Sequence, residues 1–185
     1  MTEKELIQGL REGDQLAFRM LVDQYRNRLY YALLNLLQDA TEAEDALQET
    51  FIQVYQSIAS FREESGLYTW VYRIATRKAL ERMRKQKSMR RLQSLLPWWM
   101  PDEKKSVDAV LLNPGLQAEG RETANALFRA IKTLPENQRL AFTLIRIQGM
   151  DYEEVCKIMG LGVKAVESLM SRAKENLKRK LKPND

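Results

Sequence analysis

Glycine and proline interrupt helices, and in this chain they are sparse and gathered into a few places. Neither occurs from Asp14 to Ser65, from Leu67 to Leu96, or from Val163 to Lys182. Long stretches without either residue favour helix over a turn-rich sheet, so the expected fold class is all-α. A length of 185 residues suits one medium domain or two small ones, and 44% hydrophobic with 30% charged residues allows a buried core and a wet surface.

Apolar spacing then divides the chain. Leu6, Ile7 and Leu10 predict a short opening helix that breaks near Gly13. Asp14 can cap the next helix, whose apolar positions run from Phe18 through Leu21, Tyr25, Leu29 and Leu33 to Leu36. Thr41 and Glu44 have the spacing of a capping box, predicting a third helix with Ala43, Leu47, Phe51, Val54 and Ile58 inward. Phe61 to Gly66 reads as a loop, and a fourth helix is expected from about Tyr68 to Lys87. Pro97, Pro101 and Pro114 mark a flexible linker without sustained period. Its apolar island, Leu95 to Met100 with Trp98 and Trp99, fits either packing on a neighbouring domain or docking of a partner. Beyond it, one helix carries Ala126, Leu127, Ala130 and Ile131. Pro135 opens another, with Leu140, Phe142, Leu144 and Ile147 apolar and Gly149 at its end. The expected organisation is a first domain over 1–90, a linker over 91–118 and a second domain over 119–185.

The second domain ends in a helix-turn-helix pattern. Asp151 and Glu154 form a capping box for a short helix that closes at Gly160, and a longer helix begins near Val163. Cys156, Gly160 and Val166 fall where two crossing helices need a small residue, a left-handed turn and a core anchor. Cys156 is accordingly read as a small buried apolar residue. Val166, Leu169, Met170, Ala173 and Leu177 share one face of the last helix, while Lys164, Glu167, Ser168, Ser171 and Arg172 share the other. Arginine can pair with guanine, glutamate can accept from cytosine, and serine can reach bases or phosphates. An ordinary amphipathic helix with a wet face has the same division, and the turn is what favours DNA.

Charge is segregated along the chain. Arg77 to Arg91 holds eight basic residues against the single acid Glu81, whereas Asp39 to Glu49 holds five acids and no base. Such patches suit a polyanion at one surface and a basic protein at another, although each run alone also fits a plain solvated face. One cysteine excludes an internal disulfide, and the absence of histidine removes the commonest general base and a usual zinc ligand. No cofactor, metal or catalytic residue is therefore expected. No apolar run has the length of a membrane span and Met1 to Lys4 lack a secretion pattern, so no membrane insertion and a cytoplasmic location are expected.

These motifs together resemble the extracytoplasmic-function sigma factors, the two-domain members of the sigma-70 family. Asp14-x-x-Ala17-Phe18 and Ala43 to Phe51 are similar to the family's polymerase-binding segment. Phe61 and Thr69 to Thr76 are similar to its minus-ten segment, and Leu134-Pro135-Glu136-x-x-Arg139 with Ser171-Arg172-Ala173-x-x-x-Leu177 to its second domain. The resemblance implies a non-catalytic factor that directs RNA polymerase core to promoters and helps to melt them. It assigns Asp45, Gln48 and Glu49 to the clamp coiled coil of the largest polymerase subunit. Phe61, Arg62, Trp70, Arg73, Thr76, Arg77 and Arg84 are assigned to minus-ten DNA, with the loop from Phe61 to Leu67 receiving a flipped base. Core packing is the other reading of Trp70. Lys164, Glu167, Ser168, Ser171 and Arg172 are assigned to the minus-thirty-five element. The flap of the second-largest subunit and an anti-sigma factor are further implied partners. Arg77, Gly162 and Glu167 stand where the family usually has asparagine, serine and a basic residue, so the promoter sequence itself does not carry over. The competing reading is a stand-alone helix-turn-helix regulator, which would bind its operator without polymerase and leave Asp45, Gln48 and Glu49 unexplained.

Overall fold

The computed structural model describes residues 2–93 and 118–181. Trp98, Trp99 and most of the expected linker lie outside the described residues. All regular elements among the described residues are helical: α1 (Glu3–Arg11), α2 (Gln15–Leu37), α3 (Ala40–Ser57), a 3₁₀ turn (Ile58–Ser60), α4 (Leu67–Gln93), α5 (Ala118–Lys132), α6 (Glu136–Phe142), a π turn (Thr143–Ile147), α7 (Tyr152–Met159) and α8 (Val163–Leu181).

Local chemistry accounts for most boundaries. Thr2 and Glu5 cap α1 reciprocally, and Gly13, at φ +75°, turns the chain into Asp14, whose carboxylate accepts from the Leu16 amide. The start of α3 corrects the sequence reading. Asp39, not Thr41, is the cap: its carboxylate accepts from the Glu42 amide at 3.0 Å, and Thr41 lies inside the helix. The earlier start is possible because Gln38 adopts a left-handed conformation at φ 53° and reverses the chain at once. α4 runs past the expected Lys87 to Gln93.

α1 to α4 pack around Leu21, Leu29, Leu33, Val54, Leu67, Val71 and Tyr72, all fully or nearly buried. This core continues into the second domain, joining Leu140, Leu144, Met150, Val155, Ile158 and Val166 in one cluster. A smaller core of Ala130, Ile131, Leu134, Ala173 and Leu177 holds α5 against α8. The domains therefore share an apolar seam, rimmed with polar contacts. The Gln38 amide donates to the Phe128 carbonyl, Arg139 to the Leu36 carbonyl at 2.9 Å, and Tyr72 to Gln148 at 3.3 Å. Arg84 and Lys87 both reach the Glu136 carboxylate, at 3.5 and 3.8 Å.

The helix expected to carry Leu140, Phe142, Leu144 and Ile147 changes pitch after Phe142. Gln148 donates to the Thr143 carbonyl five residues back, at 2.9 Å, so the register slips by one residue. Leu144 stays buried, while Ile147 is thrown to the surface.

Candidate functional site

Three surfaces carry the residues singled out by the sequence. On α3, Asp45, Gln48 and Glu49 are exposed and recur at helical spacing on one face. Glu49 is not isolated. Arg82 on α4 reaches it at 2.7 Å and also pairs with Glu42, and Lys78 lies 3.8 Å from Glu49. Burial pulls the Arg82 guanidinium down, but its hydrogen bonds and charge pairing with Glu42 and Glu49 outweigh this and hold it above the ordinary value. Arg82 thus ties α3 to α4, so this member of the basic run from Arg77 to Arg91 is engaged within the protein.

Ile52 and Tyr55 continue the α3 face and are exposed by 56% and 53%. Leu16 and Met20 are exposed on the N-terminal half of α2, which packs on α3 through Phe18 edges against Phe51 and Tyr55. The sequence reading missed this apolar strip. Its signal was available: Ile52 lies four residues after Gln48 and Tyr55 seven, so a large apolar pair follows the acidic turn on the outward face.

The second surface is the start of α4 with the loop before it. Trp70, Arg73 and Arg77 recur at i, i+3 and i+7 and so form a stripe on α4, with Arg77 exposed and the other two half-buried. Phe61 is buried and lies 4.9 Å from the Trp70 ring, so it backs the tryptophan instead of facing solvent. Thr76 is also buried, its hydroxyl donating to the Arg73 carbonyl at 3.2 Å. Arg62 and Arg84 are exposed. Arg73 donates to the Lys157 carbonyl on α7 at 2.7 Å, so the second domain leans on the stripe.

The third surface is α8. The Asp151–Glu154 capping box is formed, and Gly160, at φ +66°, closes α7 as expected. Val166, Met170, Ala173 and Leu177 are buried, whereas Lys164, Glu167, Ser168, Ser171 and Arg172 are all exposed together. Cys156 is half-buried, packed at the edge of the core, which corrects the expectation of full burial. Among the described residues no group of potential ligands could hold a metal ion, and no helix is long and apolar enough to cross a membrane.

Comparison with known proteins agrees with this organisation. Residues 21–89 match the family described as Sigma-70 region 2, and residues 124–177 match Sigma-70, region 4. The ECF RNA polymerase sigma-E factor of Haemophilus influenzae is 32% identical over 99% of this chain and 97% of that protein. Its Escherichia coli K12 namesake is 33% identical over 99% and 96%. CnrH, solved in complex with the cytosolic domain of CnrY, shares the fold with a TM-score of 0.69 at 22% identity, covering 99% of each chain. The Bartonella quintana sigma factor RpoE, solved with the anti-sigma factor NepR, gives 0.65 at 23% identity, covering 91% and 98%. Two sigma-70 domains in the family order, and relatives matching from end to end, place this chain among the extracytoplasmic-function sigma factors.

Proposed function

We propose that the chain directs RNA polymerase core to a set of promoters, with α3 as the polymerase grip, α4 and the loop before it as the minus-ten surface, and α8 as the minus-thirty-five reader. One observation carries this reading: a single molecule presents an anionic helix face and, on separate elements, two faces suited to nucleic acid. The anionic face of α3, extended by Ile52 and Tyr55, matches a basic helical partner with an apolar strip. The polar face of α8 projects from a capped turn whose opposite side is anchored in the core. The activity is non-catalytic, and it places the protein in the cytoplasm with polymerase and promoter. An anti-sigma factor is a further partner class, since the related Bartonella quintana protein was solved with one.

The same reading requires the domains to part. Minus-ten and minus-thirty-five elements are separate stretches of one duplex, so the two DNA-facing surfaces have to be held apart along its axis. Here Arg73 of the second surface touches α7, the helix next to the third. On this reading, engagement of the promoter draws these two surfaces apart and breaks the seam.

Gel-shift measurement on promoter DNA, with and without purified core polymerase, tests the reading. Tight, sequence-specific binding is expected only with core. Equal binding without core would replace the sigma reading with that of a stand-alone regulator.

A further inference from the structure

α1 and the loop of residues 61–66 are distant in sequence, yet three polar contacts join them. Arg11 Nη2 donates to the Phe61 carbonyl at 2.7 Å, and Arg11 Nη1 lies 2.9 Å from the Glu63 carboxylate. At the other end, the Leu67 amide donates to Glu3 Oε1 at 3.2 Å. That amide is one of the first in α4, which have no partner within their own helix. Glu3 and Arg11 stand at opposite ends of α1, about 12 Å apart along a helix rising ~1.5 Å per residue. Phe61 and Leu67 bound the loop. α1 therefore lies beside the loop as a splint and grips it at both ends.

The loop needs such a splint. Arg62, Glu63 and Glu64 are exposed, and Glu63 is held at φ 57°, a left-handed conformation that side chains other than glycine disfavour. A conformation of this kind persists only when its surroundings over-determine it. The Arg11 guanidinium does so by spanning the Phe61 carbonyl and the Glu63 carboxylate. α1 is itself firmly seated. Leu6, Ile7 and Leu10 are buried, and Gly9 approaches α2 so closely that an added Cβ would lie 2.8 Å from the Ala17 Cβ.

We infer that Glu3 and Arg11 are positioning residues for promoter opening: they preorganise the 61–66 loop to receive one base extruded from the non-template strand, without touching DNA themselves. The inference rests on the proposed assignment of that loop to minus-ten DNA. A receptor already in its binding conformation does not have to be ordered when the base arrives, and a base leaving the stack already carries an unstacking cost.

The test uses holoenzyme reconstituted with the full chain. Its affinity is measured for labelled minus-ten non-template oligonucleotides, intact or with an abasic site at each position in turn. In the parent holoenzyme, one position is expected to stand out by its loss when abasic. Arg11→Ala and Glu3→Ala should each weaken the intact strand by about tenfold, the equivalent of ordering one backbone residue. Neither should weaken the strand that is abasic at that position. Glu3→Gln, which keeps an acceptor oxygen for the Leu67 amide, should behave as the parent. Because the two alanine variants act on opposite ends of the loop, a folding defect in one leaves the other to decide. Equal weakening of intact and abasic strands would reduce α1 to a general structural role and overturn the inference, as would unchanged binding. A parent profile in which no position stands out would remove the receptacle itself, a failure of the loop assignment distinct from failure of the splint.

Discussion

Glu49 and Asp45 show how two acids on one helix face differ in what they support. Glu49 shares Arg82 with Glu42 and lies near Lys78, so it serves the contact between α3 and α4 as well as the outward face. Replacing it with arginine would set three cations together, mixing a folding defect with a binding defect. Asp45 is exposed and is the cleaner probe. Asp45→Arg is expected to change folding stability by under ~0.5 kcal/mol in urea denaturation. In a pull-down titration it should weaken core binding by at least about tenfold. Burial acts on the tyrosines of the first domain in a different way. It pushes the Tyr25 phenol up to about 12 and raises the Tyr72 phenol as well. A phenol with a folded value above its ordinary 10.0 stabilises the fold fully below pH 10, and this contribution is lost as pH rises towards about 12. Urea denaturation at stepped pH should show that alkaline decline, and Tyr25→Phe should make it shallower.

At the scale of elements, the α7–α8 unit depends on one backbone conformation. Gly160, at φ +66°, has no atom within 4 Å of the place a Cβ would occupy. Gly160→Ala therefore meets no steric conflict, and its cost is that of the left-handed backbone, about 1–2 kcal/mol. Gly160→Asn should cost less, because asparagine tolerates that region better. Thermal denaturation of the two variants checks both the size and the order. The turn after α6 shows the opposite dependence. Its π geometry is not written in any single residue; it lets Leu144 stay in the core while the chain reaches Gly149 in the conformation needed to enter α7.

At the scale of the molecule, the seam between the domains is the feature that the proposed promoter engagement would undo. Glu136 receives both Arg84 and Lys87, so Glu136→Lys turns an attraction into a repulsion at the rim. The pair is solvent-exposed on the basic side and each contact is worth only ~0.2–1 kcal/mol, so the effect is a shift of population, not unfolding. Small-angle scattering of the free variant should show a larger radius of gyration than the parent. A fluorescence pair placed on α4 and α8 should lose energy transfer when core and promoter are added. A free variant with the parent's radius, or a transfer efficiency that stays the same on assembly, would count against the requirement for opening.

Local chemistry alone makes much of this protein legible in its sequence. Helices were readable from apolar spacing, and Asp14, the Asp151–Glu154 box and Gly160 act where expected, because caps and left-handed turns involve only residues a few positions apart. The exposed face of α8 was readable for the same reason. Elsewhere a distant partner made the choice. Asp39 and Thr41 are both competent caps; Asp39 wins beside a left-handed Gln38 whose side-chain amide is bonded to Phe128, ninety positions away. Arg82 counts as one more cation in a basic run until α3 packs beside α4 and takes it as an ion-pair partner. Periodicity reports which face of a helix is apolar, but not which other element will cover that face or claim its polar neighbours. Those outcomes are set by non-local packing, and here it joins two domains across one core and brings α1 alongside a loop fifty residues later.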